Sequence, residues 1–266
     1  MNKASMGISL ALVLLAAGCR KAPDAAQPSP FQFETKTFEK VIPGCGDLSK
    51  REQPCMTFRV KWAEVSAAPA AEVKAKINAA IRARLQPKDA PAGFEAEASL
   101  VADEFERFHK EFPGSEISYF VRRTAEVNFS NAHLLSVEIN EEDFKGGAHP
   151  NTHREYLNLT PTTGESVALT SLLVPDGLSK LTALAEQRFR ASKQIEAGKL
   201  LSDSGYNFQD DKFALSRTWG VTSTGLVIHY NDYDIAPHAA GSTTIELPWS
   251  EIRLLIRKEA GITPAQ

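Results

Sequence analysis

The sequence predicts an α+β fold in which antiparallel β-sheets are covered by amphipathic helices, arranged as two sequential subdomains. Two observations predict it. Apolar and polar residues alternate with period two at 31–37, 56–62, 117–143, 225–230 and 243–247, the pattern of half-buried strands. Between these runs, apolar residues recur at steps of three and four at 69–85, 100–112 and 178–189, the pattern of helices with one buried stripe. A chain of 266 residues with 42% hydrophobic and 24% charged residues can build one large or two small cores. Its formal charge of −3 comes without any long Lys/Arg run, so nucleic acid is set aside as a partner.

The first nineteen residues read as a targeting signal. Lys3 supplies a positive start, Ile8 to Leu15 an apolar run too short to cross a bilayer, and Ala16, Ala17 and Gly18 precede Cys19. This end resembles the lipobox of bacterial lipoproteins. The resemblance implies that Cys19 becomes the lipidated N-terminus, and Arg20, in place of an aspartate, implies anchoring in the outer membrane facing the periplasm. Residues 20–30 form a Pro/Ala-rich tether with nothing to bury. No later segment holds about 18 uninterrupted apolar residues, so the mature protein is expected to be anchored and not spanning.

Taken in order, Phe31, Phe33, Thr35 and Thr37, then Met56, Phe58, Val60 and Trp62, predict two strands around a loop that holds Cys45 and Cys55. In an oxidising compartment this pair is expected as a disulfide, worth about 2–3 kcal/mol by loop closure. A zinc pair or redox dithiol is disfavoured, because the spacing is not C-x-x-C and no histidine lies near. Pro69 opens a helix with Val73, Ile77, Ile81 and Leu85 on one face, ended by Gln86-Pro87. A second helix aligns Leu100, Val101, Phe105, Phe108 and Phe112, leaves His109 at its surface, and stops at Pro113-Gly114. From Ile117 to Asp143 two long antiparallel strands turn at Ser130-Asn131, and a third strand through Tyr156 and Asn158 completes a meander. Leu178, Leu181, Ala185 and Phe189 predict a further helix, while 190–211 carries no pattern beyond a loop with a short helix. Phe213, Leu215 and Trp219 lead into the strand 225–230; Thr243, Ile245 and Leu247 form another, and Pro248-Trp249 opens a terminal helix with Ile252, Leu255 and Ile256 inward.

Two loops stand out. In 144–158, Gly146, Gly147 and Pro150 specify a constrained path that presents His149. In 231–241, turn formers alternate with Tyr233, Pro237 and His238. Gly-Gly-Ala-His-Pro at 146–150, Thr163-Gly164 followed by Leu169 and Leu172, Phe213-Ala-Leu215, Gly225-Leu226, and Tyr233 to Gly241 before Pro248-Trp249-Ser250-Glu251 resemble, as a set, the extracellular domain of RsiV-type anti-sigma factors. The resemblance covers about 130–256. It implies a binding module outside the membrane, which in that family takes lysozyme as a signal and in other proteins accompanies a peptidoglycan deacetylase domain. The expected division is therefore a signal at 1–19, a tether at 20–30, an N-terminal subdomain at 31–129 and an RsiV-like domain at 130–259.

The expected ligand-binding residues are Gly147, His149, Asn151, Tyr230, Tyr233 and His238, with a lysozyme-like protein or peptidoglycan as partner, provided the two loops meet. Tyr230, Tyr233 and Trp219 are rings able to stack on sugars or to fill a core. The alternative is a metal-assisted hydrolase using His149, His153 and an acid from Asp232 or Asp234. No Gly-x-Ser-x-Gly elbow marks a nucleophile, and neither a cofactor nor a catalytic residue is assigned.

Overall fold

The computed structural model describes residues 28–42, 54–87 and 89–263. Cys19, Cys45 and the tether to residue 27 lie outside these. The expected Cys45–Cys55 pairing therefore lies outside the described residues; Cys55 itself is buried, and its N–H donates to Ser118 Oγ at 3.0 Å.

Five strands form the first sheet: β1 (Gln32–Val41), β2 (Met56–Ala67), β3 (Tyr119–Ser130), β4 (Leu135–Phe144) and β5 (Asn151–Leu159), in chain order. Neighbours are antiparallel except β2 and β3, which run parallel. That parallel pair departs from the all-antiparallel expectation. Its cause is the long crossover through α1 (Ala71–Leu85) and α2 (Phe94–Glu111), which returns the chain to the same end of the sheet. The sheet also continues past residue 129, since β4 and β5 belong to it.

Alternation decides what each face does. Met56, Phe58, Val60, Tyr119, Val121, Val137 and Ile139 face the helices and bury Ile77, Ile81 and Leu85 of α1 with Val101 and Phe105 of α2. The stripe of α2 runs through Ala98, Val101, Ala102 and Phe105, at helical steps. Leu100 and Phe112, expected on it, are 55% and 51% exposed. Within this apolar layer Arg123 pairs with Glu97 (2.7 Å) and Glu141 (2.7 Å) and donates to the Leu85 carbonyl. His109 is tied in by a bond between Nε2 and the Ile117 carbonyl at 2.8 Å.

After β5 come α3 (Leu169–Leu172) and α4 (Gly177–Ser192), then a three-stranded antiparallel sheet of β6 (Thr218–Val221), β7 (Gly225–Tyr230) and β8 (Thr243–Pro248), and α5 (Trp249–Ile252). Leu181, Ala185 and Phe189 of α4 pack with Val221, Leu226, Ile228, Leu247 and Ile252 in a second core. Leu178 stays 45% exposed at the first turn of α4. β6 is the strand sequence periodicity does not reveal: four residues including Gly220 are too few to show alternation. Gly220 is needed because a Cβ there would enter the ring of Tyr156. Through this contact, with Asn158 Nδ2 donating to the Trp219 carbonyl (2.8 Å) and the Val221 N–H to Ser136 Oγ (3.1 Å), β6 sits on the face of β4–β5 opposite the helices. Among the described residues no helix is long and apolar enough to cross a membrane.

Candidate functional site

The hairpin joining β4 to β5 and the segment joining β7 to β8 meet beside the sheet-to-sheet junction. Gly147 adopts φ +119° with open space around it, so conformation and not crowding calls for glycine there. Asn231, immediately after β7, holds the two parts together. Its Oδ1 accepts the Arg154 N–H at 2.6 Å and its Nδ2 donates to the Arg154 carbonyl at 3.0 Å, so the amide pairs with β5 as a strand neighbour would. The Asn231 N–H donates to Asp234 Oδ2 at 2.7 Å and the Asp234 N–H donates back to the Asn231 carbonyl at 3.1 Å, a reciprocal pair that closes the 231–234 turn.

That turn carries the next contacts. Asp232 Oδ2 accepts from Thr152 Oγ1 at 2.9 Å and lies 3.3 Å from His238 Nδ1. The His238 ring stacks on His149 with centroids 3.5 Å apart and planes at 11°, and Tyr233 stacks on His238 at 5.6 Å and 26°. Nδ1–H of His149 donates to the Pro150 carbonyl at 3.0 Å, fixing the ring. Tyr233 ends the array at 66% exposure with φ +69°, a conformation that costs a non-glycine residue of order 1 kcal/mol or more and persists where the surroundings impose it.

Next to Thr152, which holds Asp232, lies a cleft of about 290 Å³ lined by Asn140, Glu141, Glu142, Thr152, His153, Arg154, His229, Asn231 and Ser242. Cross-strand pairs Asn140–Arg154 and Glu142–Thr152 make its floor. Arg154 Nε donates to Asn140 Oδ1 (2.8 Å), and Arg122 pairs with Glu142. Deeper in, Glu138 lies below the usual carboxylate range: burial alone would raise it, but hydrogen bonds from Asn140, Tyr156 and Asn128 prevail. The Tyr156 hydroxyl is pushed up by burial and by Glu138. His229, 3% exposed, has its Nδ1 2.9 Å from Thr244 Oγ1 and is held neutral down to about 4, first by burial and then by Arg154.

The expected site residues thus divide. Gly147, His149, Tyr233 and His238 are brought together, and Asn151 lies at the exposed start of β5, its Nδ2 3.4 Å from Asp143 Oδ2. Tyr230 is not with them: it is 3% exposed among Phe189, Phe208 and Phe213, and its hydroxyl donates to the Ala214 carbonyl at 2.6 Å. Trp219 is likewise core. His153 pairs across the sheet with Glu141, whose carboxylate reaches Arg123 on the helix face; alternation therefore turns it away from Thr152 and Asp232. Among the described residues no three His, Cys, Asp or Glu side chains form a group fit to hold a metal ion, so the His149–His153 donor set is not assembled. Sequence reading missed Thr152, Arg154, Asn140 and Glu142; their alternation along β4 and β5 was visible, but nothing in it says which face stays open.

Residues 170–250 match the family model described as "Protein of unknown function (DUF3298)". Residues 49–152 match a second, described as "Deacetylase PdaC". The DUF3298-like stretch holds most of the second core and the 231–241 loop, and the PdaC-like stretch holds β2 to β4 of the first sheet with the 145–150 loop. No curated protein matches significantly. Among solved structures, a DUF3298 family member from Bacteroides fragilis is similar at TM-score 0.67 and 21% identity, over 89% of this chain and 98% of that one. A DUF3298 family protein from Pseudomonas aeruginosa PAO1 is similar at TM-score 0.59 and 18% identity, with the same coverage. These likenesses establish the fold: an α+β chain of two successive units.

Proposed function

We propose that this chain is a non-enzymatic binding module of the cell envelope, held at the outer membrane through a lipid on Cys19, that takes a cell-wall component or a lysozyme-like protein. The observation that carries the reading is the junction of the 145–150 and 231–241 loops, with Tyr233 presented in a left-handed conformation at the end of a ring stack. A constrained loop pair on a rigid two-sheet scaffold is the usual setting of a recognition surface. The RsiV-type motifs at 146–150 and 233–241 fall on these same two loops, and the DUF3298 match includes the second.

The chain from Arg20 onward, which keeps every described element, is offered lysozyme and insoluble peptidoglycan in parallel. Saturable binding to one of them, weakened at least tenfold by Tyr233→Ala or His149→Ala with the fold intact by circular dichroism, is the expected result. Absence of binding to both sinks the reading. The deacetylase name attached to the model over 49–152 favours a second reading, a metal-assisted hydrolase acting on cell-wall material. One zinc per chain, together with acetate release from peptidoglycan, would turn the assignment to that reading.

A further inference from the structure

We infer that the cleft between the two sheets is a subsite for a neutral, hydroxylated sugar ring, with the Tyr233–His238–His149 stack, joined to it through Thr152 and Asp232, as a neighbouring apolar platform. This rests on the binding-module reading and names the ligand class of its site.

The chemistry of the lining selects the ligand. A sugar offers adjacent hydroxyls, each able to donate and accept, and one apolar ring face. The floor supplies the Glu142 carboxylate and the Arg154 guanidinium, with the hydroxyls of Thr152 and Ser242 beside them, while the Asn140 amide is spent on orienting Arg154 and on Glu138. Tyr233, 66% exposed, supplies the ring face. Thr152 joins the two parts, because it lines the cleft while its hydroxyl holds Asp232 at 2.9 Å, next to the stack.

Other ligand classes fit less well. A phosphate or carboxylate would meet the Glu141 and Glu142 carboxylates in the same lining, with Arg122 already paired to Glu142 and Arg154 held through Nε by Asn140 and, at 3.6 Å, by Glu138. An apolar ligand would strand these polar groups without water or partner. At about 290 Å³ the cleft is at the small end of ligand sites, which run from about 300 to 1,000 Å³, a size for one or two rings. His229 adds a wall that keeps its neutral form through ordinary pH, with its ring fixed by Thr244.

The test is calorimetric titration of the chain from Arg20 with chitotetraose and with cellotetraose, which separates a need for acetamido groups from recognition of the ring alone. Saturable binding of either, lowered about tenfold in Tyr233→Ala and in the isosteric Glu142→Gln, is expected. Leu100→Ser, on the far side of the sheet, is expected to bind as the native chain does. If neither sugar binds while lysozyme is still captured in a Tyr233-dependent way, the sugar subsite is overturned and the module stands. If neither sugars, peptidoglycan nor lysozyme bind, both readings fall. Sugar binding that is indifferent to Tyr233 and Glu142 would also overturn the placement.

Discussion

The two faces of the first sheet carry similar polar side chains under different conditions. On the helix side Arg123 is 5% exposed, clamped by Glu97, Glu141 and the Leu85 carbonyl. On the other side Arg154 has a side chain 34% exposed and shares its contacts with Asn140 and Glu138. A buried charge must have every partner in place, because losing one leaves the rest uncompensated in a medium that cannot solvate them. A charge beside an open cleft can exchange a protein partner for water or for a ligand. The helix face therefore holds the fold together, while the open face can receive something.

The largest test of that contrast is a pair of substitutions. Arg123→Ala leaves Glu97, with 8% of its side chain exposed, unpaired and is expected to cost about 3–5 kcal/mol in urea unfolding. Arg154→Ala is expected to cost about 1 kcal/mol or less; equal losses would break the comparison. Next is pH. His229 is neutral in the folded chain down to about 4, whereas the unfolded chain takes up its proton near 6.5, so acid favours unfolding between those values. Stability is expected to fall by about 3 kcal/mol on that account across the interval. His229→Gln should flatten this part of the stability-versus-pH curve, whatever its effect at pH 7.

Smaller effects sharpen the boundary between the sheets. Gly220→Ala places a methyl against the Tyr156 ring and is expected to cost about 1–3 kcal/mol by overpacking, read as a lower denaturation midpoint. Smallest in stability is Tyr233→Gly. It relieves a left-handed φ of +69° and is expected to leave stability unchanged or raise it by up to about 1 kcal/mol, while binding drops. A clear loss of stability would mean that Tyr233 is structural and not a recognition group.

Tyr230 and Tyr233 show how far the sequence reaches. Both follow an apolar run and both are aromatic in a region dense in turn formers, so composition treats them alike. The last residue of β7 points into the Phe189–Phe208–Phe213 cluster, and the turn set by Asn231 and Asp234 throws Tyr233 outward. Asn231 itself reads only as a turn former in sequence; its pair of hydrogen bonds to the Arg154 backbone spans 77 residues, and nothing local encodes that.

What the sequence determined by itself is what neighbours along the chain enforce: the period-two strands, the stripes of α1 and α4, the turn glycines and the proline-bounded loops. Backbone sterics and burial of one face act within a few residues, so they leave a mark in the order of residues. The parallel pairing of β2 with β3, the strand β6, the exposure of Leu100 and the meeting of the two loops were decided by the tertiary structure. Each depends on which distant surface packs against a face, and that surface is contributed by residues far away in the chain.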